Sequence, residues 1–365
     1  MKTSYWMTLV VNVLAFSFIN KNSEHCSLFL FCRYILLLLL LSACQPNGPQ
    51  LKKVTFSGPM MGTQYRVTVL LGAELETNVD QIEQSIVKAM ESVNESMSTY
   101  LPDSELNKIN LVRENVKFKL SEPLYDVIKE SLAISELSRG AFDITLGKAV
   151  NMWGFGSDGK ITEYPSDQEL DQIKQSSGYQ KIQLQERSII KKVSDMSLDL
   201  SAIAKGYAVD QVANSLDGFG IENYLIDIGG ELRGAGLSQN NKAWTVGIEK
   251  PYTLGSIQEI ITLTNKSIAT SGDYRNYHII DGKQFSHTID AITLKPVFHR
   301  LALVSVIDDN ASTADALATA IMALGDEKGW VFAQENDLTV YMVIREDEKD
   351  TYRVKMTESF RNYLQ

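Results

Sequence analysis

Ser312-Thr313-Ala314-Asp315-Ala316-Leu317-Ala318-Thr319-Ala320-Ile321-Met322-Ala323-Leu324-Gly325 reads as a helix from end to end. Ser312 is a good N-cap, Ala and Leu fill the interior, and Gly325 is a good stop. Leu317, Ala320, Ile321 and Leu324 make an apolar stripe, so one side of the helix expects a core. Asp315 and Thr319 are four apart and share a face within the first two turns. Two readings fit that pair: capping and surface polarity, or two hard-oxygen ligands for a divalent cation. Spacing alone favours the first.

Working outward, Leu301 to Val306 reads as a strand before this helix. After it, 328–335 reads as a further helix and 338–344 as a strong strand. Upstream, Tyr65, Val67, Val69 and Leu71 alternate as a strand does. Thr77 or Asn78 caps a helix facing inward with Ile82, Ile86, Met90, Val93 and Met97. Ser121-Glu122-Pro123 opens another, with Leu124, Val127, Ile128, Leu132 and Leu137 on its core face and Gly140 at its end. A short surface helix over 166–177, with Ser166 as its N-cap, and strand-like segments over 186–200 follow. Then come a helix over 204–216, a strand at 224–228 stopped by Gly229-Gly230, and alternating strands at 243–249 and 259–263. Strands and helices mix without steady β-α-β alternation, and no internal repeat or linker interrupts them. The expectation is one α+β domain.

The chain has 365 residues, 44% hydrophobic and 22% charged, with a formal net charge of -10. A sizeable core is available, and no basic stripe marks a nucleic-acid surface. Arg33, the apolar run 34–41 and Leu41-Ser42-Ala43-Cys44 form a signal-peptide pattern. Its apolar core is too short to span a bilayer as a helix. Leu-Ser-Ala-Cys resembles the bacterial lipobox, which implies lipidation of Cys44 after cleavage. An unmodified signal peptide or a small anchor helix is the other reading. An earlier apolar stretch, 7–18, places the expected start further downstream than Met1. The reading is therefore a signal peptide over 1–43, a lipidated Cys and tether over 44–53, and a domain over 54–365. Cys26, Cys32 and Cys44 are the only cysteines. The domain itself then has no thiol for a disulfide, a thiolate metal site or a cysteine nucleophile.

Gly-bearing polar loops carry the candidate chemistry. They are Met60-Met61-Gly62-Thr63, Gly140-Ala141-Phe142-Asp143-Ile144-Thr145, Asp199-Leu200-Ser201-Ala202-Ile203-Ala204-Lys205-Gly206, and Ala269-Thr270-Ser271-Gly272-Asp273 leading to Ser286-His287-Thr288-Ile289-Asp290. None is a Walker loop or a dinucleotide fingerprint, and each alone reads as a turn. Together they have a logic. Glycines let backbone amides approach phosphate oxygens, Lys205 would neutralise a phosphate, and Asp315 with Thr319 would hold Mg²⁺, which shares its shell with substrate phosphates. Tyr100, Phe142 and Trp153 offer aromatic surface to a flat ring, or simply fill a core. His287, embedded in a polar loop, is the best general-base candidate. His278 and His299 read as structural.

These loops, in this order, resemble the ApbE family of FAD:protein FMN transferases. Further matching stretches are Met97-Ser98-Thr99-Tyr100, Asp103-Ser104-Glu105 with Asn110, Trp153-Gly154-Phe155-Gly156, Ile228-Gly229-Gly230-Glu231 and Trp244-Thr245-Val246-Gly247-Ile248. The resemblance spans about 54–345. It implies a T-fold-like α+β flavin transferase domain, with FAD as substrate and Mg²⁺ in one cleft. By motif, Asp315, Thr319 and the carbonyl of Ala202 correspond to Mg²⁺ ligands. Met61, Tyr100, Ala141, Phe142, Asp143, Asp199, Lys205 and, more weakly, Ile289 correspond to FAD contacts, and His287 to the base. The implied acceptors are proteins of membrane redox complexes, such as Na⁺-translocating NADH:quinone oxidoreductase or related electron-transport complexes. The implied location is the bacterial cell envelope, on a lipid anchor facing the periplasm. One departure stands out. The family usually follows His-x-Ile-Asp with Pro, then Thr-Gly and another Pro. Here Asp290 is followed by Ala291, Ile292, Thr293, Leu294, Lys295 and Pro296. That altered turn keeps two alternatives in view: hydrolysis of FAD to FMN and AMP, and flavin binding without cleavage.

Overall fold

The computed structural model describes residues 51–365 apart from Lys160, Thr162, Tyr252, Leu254, Arg275, Asp281, Lys349 and Asp350. The expected signal segment, Cys44, the tether up to residue 50 and Arg275 lie outside the described residues. No helix among the described residues is long and apolar enough to cross a membrane.

β1 (Lys52–Met60) and β2 (Thr63–Leu71) form an antiparallel hairpin, so β1 starts inside the expected tether. Its turn residues, Met61 and Gly62, have φ of 51° and 72°. This is type I′ geometry, whose twist suits a hairpin. Glycine adopts it freely, whereas Met61 does so at a steric cost. α1 (Val79–Met97) buries Ile82, Ile86, Met90, Val93 and Met97. Asn78 occupies its N-cap position without a side-chain bond to the helix.

α2 (Glu105–Leu111), β3 (Phe118–Lys119) and α3 (Glu122–Leu137) follow, α3 starting behind a Ser121 cap. Leu137, expected in the core, is 46% exposed. The buried stripe of α3 runs on through Ser131 and Ser135, and two residues further lies across the helix from it. α4 (Gly147–Met152), α5 (Asp167–Ser176), β4 (Ile182–Gln185), β5 (Ser188–Lys191) and α6 (Ala204–Gly218) complete the first half. Ser166 and Glu169 form a capping box at α5.

The second half is β6 (Tyr224–Ile228), β7 (Glu231–Ala235), β8 (Trp244–Glu249), β9 (Ile257–Leu263), β10 (Lys266–Gly272), β11 (Tyr277–Ile280) and β12 (Lys283–Ser286). β13 (Leu301–Asp308), α7 (Ala311–Glu335), β14 (Thr339–Arg345), β15 (Tyr352–Met356) and α8 (Glu358–Arg361) end it. An 8-stranded sheet runs in the order β1-β2-β6-β7-β10-β13-β14-β15, every neighbouring pair antiparallel. Residues of α1, α6 and α7 share one hydrophobic cluster with this sheet. Val246, Ile248, Ile261 and Leu263 of the β8–β9 hairpin pack with Leu303, Tyr341, Val343 and Phe360 in another. Leu301 through Ile307 of β13 are accordingly all buried, because a strand covered on both faces has no polar side. The architecture is α+β.

α7 corrects one expectation and bears out another. Its N-cap is Asn310, not Ser312, and Asn310 makes no capping bond. The carboxylate of Asp210 on α6 accepts the N–H groups of Ala311 and Ser312 instead, each at 2.9 Å. The Ser312 hydroxyl donates to Glu130 at 3.0 Å. The two helix starts meet at Gly206, where a Cβ would lie 2.2 Å from the Ala311 carbonyl oxygen. At Gly325, φ of 77° and ψ of -173° break the helix. Gly325 thus stops the first helix as expected, and the segment beyond it is a second helix, covering the expected 328–335. His299 donates Nε2–H to the Met322 carbonyl at 2.7 Å, serving the end of the first segment.

Candidate active site

An open cleft of about 1340 Å³ lies beside α6 and α7. Met61 reaches it from the β1–β2 turn, Tyr100 from beyond α1, and Ala141, Phe142 and Asp143 from the loop after α3. Asp199 and Ala202 precede α6, Lys205 stands in its first turn, and Asp315 and Thr319 project from α7. His287 and Ile289 follow β12. Every one of these residues lines the cleft.

At its floor, Lys205 Nζ lies 3.4 Å from Glu231 Oε1 and 3.5 Å from Asp315 Oδ2. Asp315 Oδ2 also accepts the Gly206 N–H at 3.1 Å. Burial disfavours the ammonium, but Asp315 and Glu231 outweigh it and hold Lys205 protonated. Burial pushes the Glu231 carboxyl up to about 8, against the pull of Lys205 and with the help of Asp315. Glu231 Oε2 is buried without a hydrogen-bonding partner among the described residues. Glu231 was read from sequence only as part of a motif. Its Gly-Gly-Glu context marks a turn, and its burial comes from strand pairing that no local signal reports.

Asp315 and Glu231 bring carboxyl oxygens to the cleft beside Lys205, hard donors of the kind a divalent cation takes. Thr319 Oγ1, 3.4 Å from Ser271 Oγ, adds a hard oxygen on the same side of α7. The described residues contain no cluster of three or more His, Cys, Asp or Glu able to hold a metal. A single carboxylate supplemented by hydroxyl and carbonyl oxygens fits Mg²⁺, which keeps water and phosphate in its shell, better than zinc.

The walls are tied by short bonds. Thr145 donates its N–H at 2.8 Å and its hydroxyl at 2.7 Å to Asp143 Oδ1, and the Tyr179 N–H reaches Oδ2 at 3.0 Å. Burial raises the Asp143 carboxyl and these bonds oppose it. Asp199 Oδ1 accepts the Ser201 N–H at 2.7 Å. Asn110 clamps Leu198 in both directions, donating at 3.0 Å and accepting at 2.7 Å. The aromatic surface is smaller than expected. Phe142 and Trp153 are buried in the core, where the Trp153 indole donates to the Leu294 carbonyl at 2.8 Å. Of these three, Tyr100, at 67% exposure, offers an open ring.

His287 is half-buried at the cleft edge. Its Nδ1 lies 3.0 Å from the Asn276 carbonyl oxygen. A carbonyl only accepts, so Nδ1 carries the proton and Nε2 keeps its lone pair. Burial lowers the His287 pKa, the Asn276 bond opposes that shift, and the charge of Lys205 adds to it. The imidazole is neutral at neutral pH and able to take a proton. The altered turn beyond it is closed. Asp290 Oδ1 accepts the N–H groups of Ile292 and Thr293 at 3.0 and 2.6 Å. Leu294 takes φ of 56° where the resembled pattern has Gly, and its side chain is buried among Leu146, Trp153, Leu170 and Ile173.

Comparison with known proteins agrees with this geometry. Residues 61–342 match the model of the ApbE family. The FAD:protein FMN transferase of Vibrio cholerae serotype O1 is 38% identical over 328 residues, covering 90% of this chain and 96% of its own. That of Haemophilus influenzae is 36% identical over 316 residues, covering 85% and 90%. The solved flavin transferase ApbE from Vibrio cholerae superposes with a TM-score of 0.80 at 37% identity, over 86% of this chain and 100% of that one. The apo flavinyl transferase ApbE of Pseudomonas stutzeri gives 0.79 at 32%, over 86% and 98%.

Proposed function

Because this chain belongs to the ApbE family, we propose that it transfers FMN from FAD to a Thr or Ser hydroxyl of an acceptor protein, with Mg²⁺ bound and AMP released. The observation that carries the reading is the convergence in one cleft of a neutral His287 with a free Nε2 and the Lys205–Asp315–Glu231 cluster. Nε2 takes the proton of the acceptor hydroxyl. That oxygen bonds to the phosphorus of the FMN half, and the bond from this phosphorus to the oxygen of the AMP phosphate breaks. The AMP oxygen leaves with the electron pair. Lys205 offsets phosphate charge, while Asp143, Asp199 and the Met61 turn position the two halves of FAD. Asp315, Thr319 and the Ala202 carbonyl would hold Mg²⁺, which supplies Lewis-acid stabilisation of charge on the pyrophosphate. The protein's task is positioning, a base and charge, with no covalent enzyme intermediate.

The test is incubation of the chain with FAD, Mg²⁺ and membrane proteins from a strain lacking the gene. AMP release with flavin fluorescence on a denatured acceptor is expected. AMP release without labelling means hydrolysis, and intact bound FAD without AMP means a flavin-binding protein. We further propose that Cys44 is lipidated, holding the enzyme at the envelope membrane facing periplasmic parts of redox complexes. Cys44→Ser is expected to abolish labelling by radioactive palmitate and to free the protein from membranes. Retained palmitate would refute the anchor.

A further inference from the structure

A run of three rings borders the cleft at the base. His278 on β11 lies flat on Phe155, ring centroids 4.3 Å apart and planes within 8° of parallel. Phe155 in turn meets His287 edge-on, at 6.3 Å and 66°. Phe155 and His287 both line the cleft, and His278 stands behind them. The backbone of Phe155 is tied on both sides. Its N–H donates to the Val150 carbonyl at 3.0 Å, and its carbonyl accepts the Tyr100 hydroxyl at 3.4 Å.

Both histidines belong to one ribbon. His278 pairs with Phe285 across the β11–β12 hairpin. The next residue after β12 is His287, which donates its backbone N–H at 3.3 Å to the same Asn276 carbonyl that its ring engages. The ring is therefore pinned at Nδ1 only. A single bond fixes one atom and leaves the imidazole able to swing about it, so a wall on a second side is needed for one orientation. Phe155 is that wall. Its own ring is kept from turning by the flat overlap with His278, whose Nε2–H is anchored on the Gly154 carbonyl at 2.8 Å.

We propose that His278 is a positioning residue. Through its stack on Phe155 it holds His287 in one orientation and one tautomer, with Nε2 presented to the acceptor hydroxyl. The inference rests on the reading of His287 as the base. Among the described residues, the charged groups that bear on His287 are Lys205 from α6 and Asp273 beyond β10.

The experiment uses the detergent-solubilised full chain, ring-¹⁵N-labelled at histidine, without FAD or metal. In the wild type, the His287 nitrogens are expected to report a single Nδ1–H tautomer with a titration midpoint below the ordinary histidine value. In His278→Ala, the tautomers mix and the midpoint moves up toward the ordinary value. FMN transfer falls about tenfold in kcat, with KM for FAD unchanged. His278→Phe keeps a flat ring and restores both readouts. His278→Gln keeps a donor for Gly154 but no ring, and does not. Phe155→Leu leaves the His278 anchor in place and is expected to mix the tautomers in the same way. An unchanged tautomer and midpoint in His278→Ala or in Phe155→Leu overturns the proposal. So does rescue by Gln where Phe fails, which would make the Gly154 bond the whole role. If the wild type labels no acceptor, the transferase reading fails, while the tautomer measurement still decides this one.

Discussion

The two sides of the cleft are built differently. Lys205, Asp315 and Thr319 stand on the first turns of two helices that touch backbone to backbone at Gly206. His287 and Ile289 stand on a narrow ribbon and a turn, held by a carbonyl, a stack and a buried Leu294. The charged cluster thus sits on helices deep in the fold, and the proposed base on a lighter element at the rim. A group that binds pyrophosphate oxygens must not drift, because misplacement weakens every electrostatic contact. A base that meets a protein acceptor must stay near the surface, where that acceptor can reach it.

The largest expected effect strikes the helical side. Asp315→Ala removes the carboxylate of the proposed Mg²⁺ site, and AMP release should fall by about 10³-fold or more across a Mg²⁺ titration. Undiminished release would take Asp315 out of the site. His287→Ala should keep FAD affinity and lose transfer by about 10²- to 10⁴-fold. Loss of FAD binding in that variant would erase the division of labour. The pH profile sharpens it further. On the proposed mechanism the rate depends on neutral His287, whose pKa burial lowers from the ordinary histidine value of 6.5. The rate should therefore hold as pH falls through 6.5 and drop only below it. An acid limb at or above 6.5 would contradict the lowered pKa of the half-buried His287 imidazole.

Smaller effects fall on stability. Gly206→Ala would set a Cβ 2.2 Å from the Ala311 oxygen, forcing α6 and α7 apart at a cost of about 1–3 kcal/mol or more. Denaturant unfolding should show it, with FAD affinity falling in parallel. Leu294→Gly relieves about 1–2 kcal/mol of left-handed strain but removes a buried Leu worth about 2–5 kcal/mol. A net loss of about 1–3 kcal/mol is expected, with transfer slowed and FAD affinity kept. Weakened FAD binding there would mean the rim and the floor are not independent.

The helical side was the more legible in sequence. Helical spacing puts Asp315 and Thr319 on one face, the resemblance of the upstream loops turns that face into a candidate site, and Leu317 and Ile321 show through an apolar stripe. The residues that complete them did not. Glu231 is a site residue because β7 carries it beneath Lys205, and Asp210 caps α7 from another helix, so Ser312 read wrongly as the cap. Both depend on contacts far apart in the chain. β7 and β10 carry no clear strand signal, because Gly and small polar residues dilute their alternation. The ribbon at the rim showed its histidine but not its geometry. Leu294 in a left-handed turn cannot be read from a residue type that avoids that conformation.

The Asp210 cap has a mechanical consequence. It works as a rivet between the second turn of α6 and the start of α7, so the spacing of Lys205 from Asp315 is set by a joint and not by the length of any loop. A load on either helix carries both residues together. Insertions in the surface loops can therefore accumulate without changing the gap across which phosphate and cation would be held.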